Sequence, residues 1–197
     1  MSKSNSFYAI EGDNGVGKSS VIRGLSKMIQ FCSVSTPTKG YGGIRKYIHE
    51  RDCTHAKFFY YLSSIFDVTK EIEEGLETSN VICDRYLAST FIDFLILSGN
   101  DFEKVKGLYR LVTEALIMPK KTILLKCDHE VRVKRVKQRK SLSPANDNLS
   151  REYSRKTDEY YGIFSSLERN WHTIDTTSKD VDEIIEEIVG EIRDGDN

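Results

Sequence analysis

Apolar positions along the chain follow two alternating rhythms. Short, nearly unbroken apolar runs stand at Phe7-Tyr8-Ala9-Ile10, at residues 31–35, at Asn80-Val81-Ile82-Cys83, at residues 122–127 and at Trp171-His172-Thr173-Ile174-Asp175. Each has the length of a buried strand. Between them, residues 20–29, 44–48, 55–76, 89–98, 102–118, 131–139, 149–167 and 181–192 carry apolar residues at helical spacing. In the long segment 55–76 the expected apolar face is Phe58, Phe59, Leu62, Ile65, Phe66, Val68, Ile72 and Leu76. Strands that alternate with helices predict an α/β fold with a five-stranded parallel sheet covered on both faces, in three layers. Two stretches interrupt the rhythm: a glycine-rich link over 39–43 and a polar loop over 140–148 that contains Pro144. The second is expected to be mobile. It makes about 139–149 the candidate lid of a single domain spanning 1–197.

The first strand runs into Gly12-Asp13-Asn14-Gly15-Val16-Gly17-Lys18-Ser19, and a helix follows at Ser20. That is the G-x-x-x-x-G-K-[ST] pattern in the strand–helix context that gives it physical meaning. Gly12, Gly15 and Gly17 allow backbone conformations closed to other residues, so the loop amides approach an anion. Lys18 then reaches the outer phosphates of a nucleoside triphosphate, and the Ser19 hydroxyl faces Mg²⁺. At the end of the third strand, Asp84 stands where P-loop enzymes place a metal-orienting carboxylate, and Arg85 offers a planar fork for phosphate. The basic run Arg132 to Lys140 is either a solvated helix face or the stem of a lid that brings positive charge over a moving phosphoryl group. Arg139 is the lid cation expected to act in catalysis, with Lys140 next to it.

Composition narrows the partners. A formal net charge of −1 argues against long nucleic acid, which favours a basic excess. No run approaches a membrane span, and the N-terminus lacks a signal-peptide core. Cys32, Cys53, Cys83 and Cys127 are scattered with no metal-site spacing, as in a reducing, cytoplasmic compartment. Two classes remain on these residues: a kinase acting on a small acceptor, and a nucleotide-binding switch. The switch reading wants a guanine-reading Asn-Lys-x-Asp stretch, which the sequence lacks.

Taken together, Ile10-Glu11-Gly12 leading into the P-loop, Asp84-Arg85-Tyr86 followed by Ser89, the Asp128, Glu130, Arg135 and Arg139 set, and the Ile174-Asp175-Thr176 ending resemble the thymidylate kinase family of nucleoside monophosphate kinases. The resemblance runs along nearly the whole chain, and it implies a homodimer contact, since the family dimerises through helices near the acceptor site; the apolar segment Phe91 to Leu97, which suits buried core equally, is the candidate. It implies ATP and Mg²⁺, with residues 12–20, including Asp13, Asn14, Val16 and Ser20, around the ATP phosphates. It places Arg135 against adenine and Asp175 near that base. Lys39 and Arg85 would grip the acceptor phosphate, with Arg45 and Ser89 on the acceptor side. Tyr60 falls where the family stacks a ring on the acceptor base, or else is one more core aromatic. Several positions depart from the pattern: Asn14 replaces a carboxylate, Ser64 an arginine, and Asp93 and Phe94 a Tyr and a Gln or Asn. They cluster at the acceptor base and spare the ATP side, so phosphoryl transfer is expected and the acceptor base stays open. Asp93 suits an exocyclic amine if it reaches the base; otherwise it is a solvent-facing helix residue. A deoxynucleoside kinase and a non-catalytic nucleotide-binding P-loop protein are the alternatives. The first needs a carboxylate base after the second strand, where Thr36-Pro37 stands instead.

Overall fold

The computed structural model describes residues 5–138, 149–168 and 170–195. Among them, five strands and eight α-helices alternate: β1 Phe7–Glu11, α1 Lys18–Met28, β2 Cys32–Ser35, α2 Gly42–Glu50, α3 Thr54–Leu76, β3 Val81–Asp84, α4 Leu87–Ser98, α5 Phe102–Ala115, β4 Lys121–Lys126, α6 His129–Lys137, α7 Arg151–Leu167, β5 Trp171–Asp175 and α8 Val181–Gly195. The strands form one parallel sheet in the order β2-β3-β1-β4-β5.

Strand periodicity sorts the two layers. Phe7 and Ala9 of β1 point into a core shared with Ile65, Val68, Leu87, Phe91 and Phe164 from α3, α4 and α7. Tyr8 and Ile10 point the other way, onto Val21 and Leu25 of α1 and Ile185 and Ile188 of α8. Every residue of β1 is buried, as a central parallel strand requires. Phe91, Ile92, Phe94 and Leu95 are all buried in the chain's own core, while Asp93 and Leu97 of the segment 91–97 are exposed and Ile96 is half-buried. Most of that segment is therefore core, and its unburied face, Asp93, Ile96 and Leu97, is narrow.

Three expectations are corrected. The link over 39–43 is helical: a 3-10 turn, Lys39–Tyr41, runs directly into α2. The Tyr60 hydroxyl secures it by donating to the Tyr41 carbonyl at 2.9 Å. On α3, Phe59 and Phe66 leave the expected apolar face and are 57% and 44% exposed. Four consecutive aromatics, Phe58 to Tyr61, cannot all face inward on a 100° repeat. Finally, α5 stops at Ala115 and not at 118, with Leu116 already extended.

The sheet brings the functional loops together. In the β1–β3 pairing Ile10 lies opposite Asp84, and the Arg85 amide donates to the Ile10 carbonyl at 3.0 Å. The loop after β1 and the dipeptide after β3 therefore leave the same edge side by side. Adjacent parallel strands whose connections diverge open a crevice at such a point.

Candidate active site

The loop from Gly12 to Gly17 curls back on itself through three glycines at positive φ: 138° at Gly12, 93° at Gly15 and 108° at Gly17. Its packing onto α6 is close at Gly15. A Cβ there would come within 2.7 Å of Val136 Cγ2 and 2.9 Å of the Arg132 carbonyl. Strain and clash act together, so Gly15→Ala is expected to lose about 2 kcal/mol or more of stability. A urea titration reads this directly, and an unchanged midpoint would show the loop free to move off α6.

Behind the loop, Arg132 and Arg135 of α6 form its back wall. Arg132 is buried; its guanidinium pairs with Asp13 at 3.0 Å, approaches the Asn14 carbonyl at 3.4 Å and donates to Ser154 Oγ at 2.6 Å. Arg135 donates to the hydroxyl and carbonyl of Thr176 at 3.0 and 2.7 Å, and the Thr176 hydroxyl donates on to the Val16 carbonyl at 3.0 Å. Asp175 is exposed, and its carboxylate accepts from the Thr177 amide at 2.8 Å. Ser20 is the third residue of α1 and faces solvent.

Lys18 is 7% exposed, and its ammonium donates to the carbonyls of Gly12 and Asp13 at 2.8 and 2.9 Å. Burial, with Arg85 nearby, pulls its pKa down to about 7 against the opposing pull of Asp84, Glu11 and Asp13. The amine is thus held inside the curl of the loop, its charged form disfavoured by burial, until an anion replaces the carbonyls.

In front lies a cleft of about 750 Å³. Its floor is Asn14, Lys18 and Ser19 of the loop with Asp84 and Arg85 after β3. One wall comes from Thr36 and Pro37 after β2, Arg45 and His49 of α2, and Lys57, Phe58 and Tyr61 of α3. The other is Ser89, Asp93, Phe94 and Leu97 of α4, with Tyr153 of α7. Asp84 Oδ1 is buried and has no hydrogen-bond partner among the described residues. Arg85 sits at φ 66°, a conformation that costs a non-glycine residue about 1–3 kcal/mol. It is locked there by its own amide bond and by the Thr36 hydroxyl, which donates to the Arg85 carbonyl at 3.2 Å. The result aims its guanidinium across the loop to Asn14 Oδ1, at 2.7 Å.

Glu11 ties the two sides together. It is 1% exposed; Oε1 accepts from the amides of Tyr86 and Ser89 at 2.9 and 3.3 Å, and Oε2 from the Tyr161 hydroxyl at 3.2 Å. The Gly12 amide in turn donates to that hydroxyl at 3.1 Å. Burial raises the Glu11 pKa despite Arg85 and the two amides.

Of the residues singled out in the sequence, the cleft gathers Asn14, Lys18, Ser19, Arg45, Asp84, Arg85 and Ser89. Lys39 and Tyr60 are not among its lining. Thr38 turns inward, its amide donating to Ser64 Oγ and its hydroxyl to Asp67 Oδ2, so Lys39 projects to solvent as the exposed start of the 3-10 turn. Ser64 is fully buried at that anchor, where an arginine would not fit. Tyr60 packs against Tyr41 and is buried, and its neighbour Tyr61 lines the cleft instead, hydrogen-bonded to His49 Nε2 at 2.7 Å. Arg139 and the loop 140–148 lie outside the described residues. Sequence reasoning passed over Glu11 as a site residue, and also Arg132, His49, Lys57, Tyr153 and Tyr161. Only a polar residue inside the otherwise apolar first strand, Glu11, was there to flag one of them.

A parallel sheet ordered 2-3-1-4-5, with this glycine loop at the tip of its central strand, defines a P-loop protein. The sequence profile of thymidylate kinases matches residues 10–188. A probable thymidylate kinase of Methanocaldococcus jannaschii is 30% identical over 193 residues, covering 96% of each chain. A thymidylate kinase of Mycoplasmoides gallisepticum is 29% identical over 156 residues, 72% of each. Among solved structures, a thymidylate kinase from Candida albicans superposes with TM-score 0.76 at 17% identity, covering all of this chain and 96% of that one. A deoxyadenosine kinase from M. mycoides gives TM-score 0.70 at 19% identity, covering 95% and 99%. The chain belongs to the thymidylate kinase family. It is accordingly an ATP-dependent phosphotransferase of the nucleoside monophosphate kinase type.

Proposed function

We propose that this protein transfers the γ-phosphoryl group of ATP to the phosphate of a nucleoside monophosphate such as dTMP, giving ADP and the nucleoside diphosphate. One observation carries the reading: Lys18, Ser19, Asp84 and Arg85 converge on a single cleft long enough to extend past them onto α3 and α4. The loop amides and Lys18 hold the ATP phosphates. Arg85, with Arg45 across the cleft, holds the acceptor phosphate, whose oxygen is already an anion and needs no base. The wall after β2, Ser35, Thr36 and Pro37, offers no carboxylate, which weighs against a nucleoside hydroxyl as acceptor. Lys39 would add to acceptor binding only from the rim.

Mg²⁺ fits the floor. Asp84 Oδ1 is an orphaned buried oxygen in the same cleft as the Ser19 hydroxyl, and hard oxygen donors suit that ion. When bound, it would neutralise charge on the outer ATP phosphates. In the family's manner the residues after α6 would close over the cleft, with Arg139 as the added cation in a lid over about 139–149. The described residues share one sheet, which supports a single domain over 1–197. No helix among them is long and apolar enough to cross a membrane, and the four cysteines are free, in keeping with a cytoplasmic enzyme.

The test is a panel. Mg-ATP is incubated with each nucleoside monophosphate and, separately, each deoxynucleoside, and ADP formation is followed. A monophosphate that raises ADP release far above the ATP-only rate supports the proposal. Turnover confined to unphosphorylated nucleosides, or ATP binding without turnover on any acceptor, overturns it.

A further inference from the structure

The cleft is an unusual place for a second carboxylate. On the reading above its contents are polyanions, met at the floor by Lys18 and Arg85 beside Asp84, yet Asp93 stands on its α4 wall. The residue is not idle packing: it lines the cleft, and its Oδ1 accepts from the Tyr153 hydroxyl at 2.6 Å. That bond fixes the carboxylate from α7, the helix that also holds Glu11 and Gly12 through Tyr161. One bond leaves acceptor capacity over, since a carboxylate offers about four lone-pair positions. A carboxylate facing anions is unfavourable unless donors reach it. Asp93 is exposed at the cleft surface near Arg85, so its remaining lone pairs are open to a donor on whatever the cleft binds.

Position along α4 says which part of a nucleotide that is. Ser89, Asp93 and Leu97 repeat at four residues and present one stripe to the cleft, spaced about 6 Å apart along the axis. Ser89 sits beside the P-loop through its amide bond to Glu11. Leu97 lies at the far end, with Phe94 stacked on Phe58 at 4.3 Å between centroids. The stripe therefore reads phosphate end, carboxylate, apolar end. A nucleotide reads phosphate, sugar, base. Asp93 falls at the depth of the sugar, whose hydroxyls are donors, while the aromatic and aliphatic surface falls at the depth of the base.

Building on the acceptor site proposed above, we infer that Asp93 reads the sugar of the acceptor nucleotide by accepting a hydrogen bond from its 2′ or 3′ hydroxyl, with Tyr153 holding the carboxylate in place. Preference among acceptors then depends on the sugar at this point and on apolar fit at the base. A site built around a hydrogen bond rejects analogues that lack the donor, because its own polar group is left unpaired.

The experiment measures binding, so it does not depend on turnover. With the P-loop filled by a non-hydrolysable ATP analogue, Kd is measured by calorimetry for four forms of one monophosphate: ribo, 2′-deoxy, 3′-deoxy and 2′,3′-dideoxy. The two monodeoxy forms tell which hydroxyl is read. The expected result is binding of the dideoxy form at least ~10-fold weaker than the best of the other three. Asp93→Ala should bring all four within ~2-fold, while Asp93→Asn, which keeps an acceptor oxygen, should retain part of the discrimination. Tyr153→Phe should weaken it without abolishing it. Melting temperatures within a few degrees of the parent confirm that the variants fold. Equal discrimination in the parent and Asp93→Ala overturns the inference. So does a change in preference between cytidine and thymidine monophosphates with sugar discrimination unchanged, which would place Asp93 at the base. Absence of binding by every monophosphate overturns the acceptor site itself, and the inference with it.

Discussion

Lys18→Met is expected to lower kcat by at least ~10³-fold and, in the same protein, to raise the melting temperature of the nucleotide-free form. The first effect follows from position. Lys18 is the cation at the base of the cleft, where charge on a transferring phosphoryl group must be met, and neither the loop glycines nor Ser19 can replace it. The second follows from burial. The residue is 7% exposed and its pKa is held near 7, below the ordinary 10.5, chiefly by the loss of water around the ammonium. At pH 6 the folded chain carries a buried charge that the unfolded chain carries in water. At about 1.4 kcal/mol per pKa unit the cost is a few kcal/mol. Between pH 7 and 10.5 the unfolded chain binds more protons than the folded one, so the parent protein gains stability as pH rises across that window. The advantage of Lys18→Met should therefore be largest at pH 6 and shrink by pH 9. Thermal melts at the two pH values decide it, and a melting temperature that falls with the substitution would show the lysine to be stabilising. ATP should reverse the shift, so binding near pH 8 should take up protons, visible as a buffer-dependent heat.

Glu11→Ala is expected to cost about 3–5 kcal/mol of stability, the largest effect of any single truncation considered. Three donors converge on this buried carboxylate: the amides of Tyr86 and Ser89 and the Tyr161 hydroxyl. Alanine leaves all three facing a dry cavity. Glu11→Gln keeps one oxygen in place of Oε1 and should retain most of the stability. If the pair behaves alike in urea titrations, with losses below ~1 kcal/mol, the carboxylate is not the clasp that the geometry describes. Because the same clasp joins the start of the P-loop to the start of α4, Glu11→Gln should affect acceptor affinity more than it affects unfolding.

Much of this was legible in the chain, for physical reasons that differ by residue. The P-loop could be read because its backbone demands glycine at fixed intervals, and those demands appear as letters. Asp84 and Arg85 could be read because a parallel strand places its last residues on the functional edge. The five strands could be read from their apolar runs, as the sheet is buried on both faces. What stayed hidden depends on contacts between distant segments. Tyr161 reaches Glu11 across 150 positions, and Tyr153 reaches Asp93 across 60. A buried tyrosine on a helix rich in tyrosines gives no local sign of its partner. In α3 the resemblance pointed to Tyr60 as either a base-stacking ring or a core aromatic; it is buried, and its neighbour Tyr61 turns to the cleft, a choice that four adjacent aromatics do not settle locally. Lys39 missed the lining because Ser64 and Asp67 capture Thr38, a tertiary event that no local pattern announces.

The central claim is that one cleft, centred on Lys18, holds two nucleotides phosphate to phosphate. An analogue with adenosine and the acceptor nucleoside joined at their 5′ oxygens by five phosphates tests it most directly, because it must occupy both ends at once. Competition against ATP and against the monophosphate, with affinity at least ~10²-fold tighter than either alone, is the predicted result. Competition against ATP only, with monophosphate affinity untouched, would mean that the space beyond Arg85 is not an acceptor site.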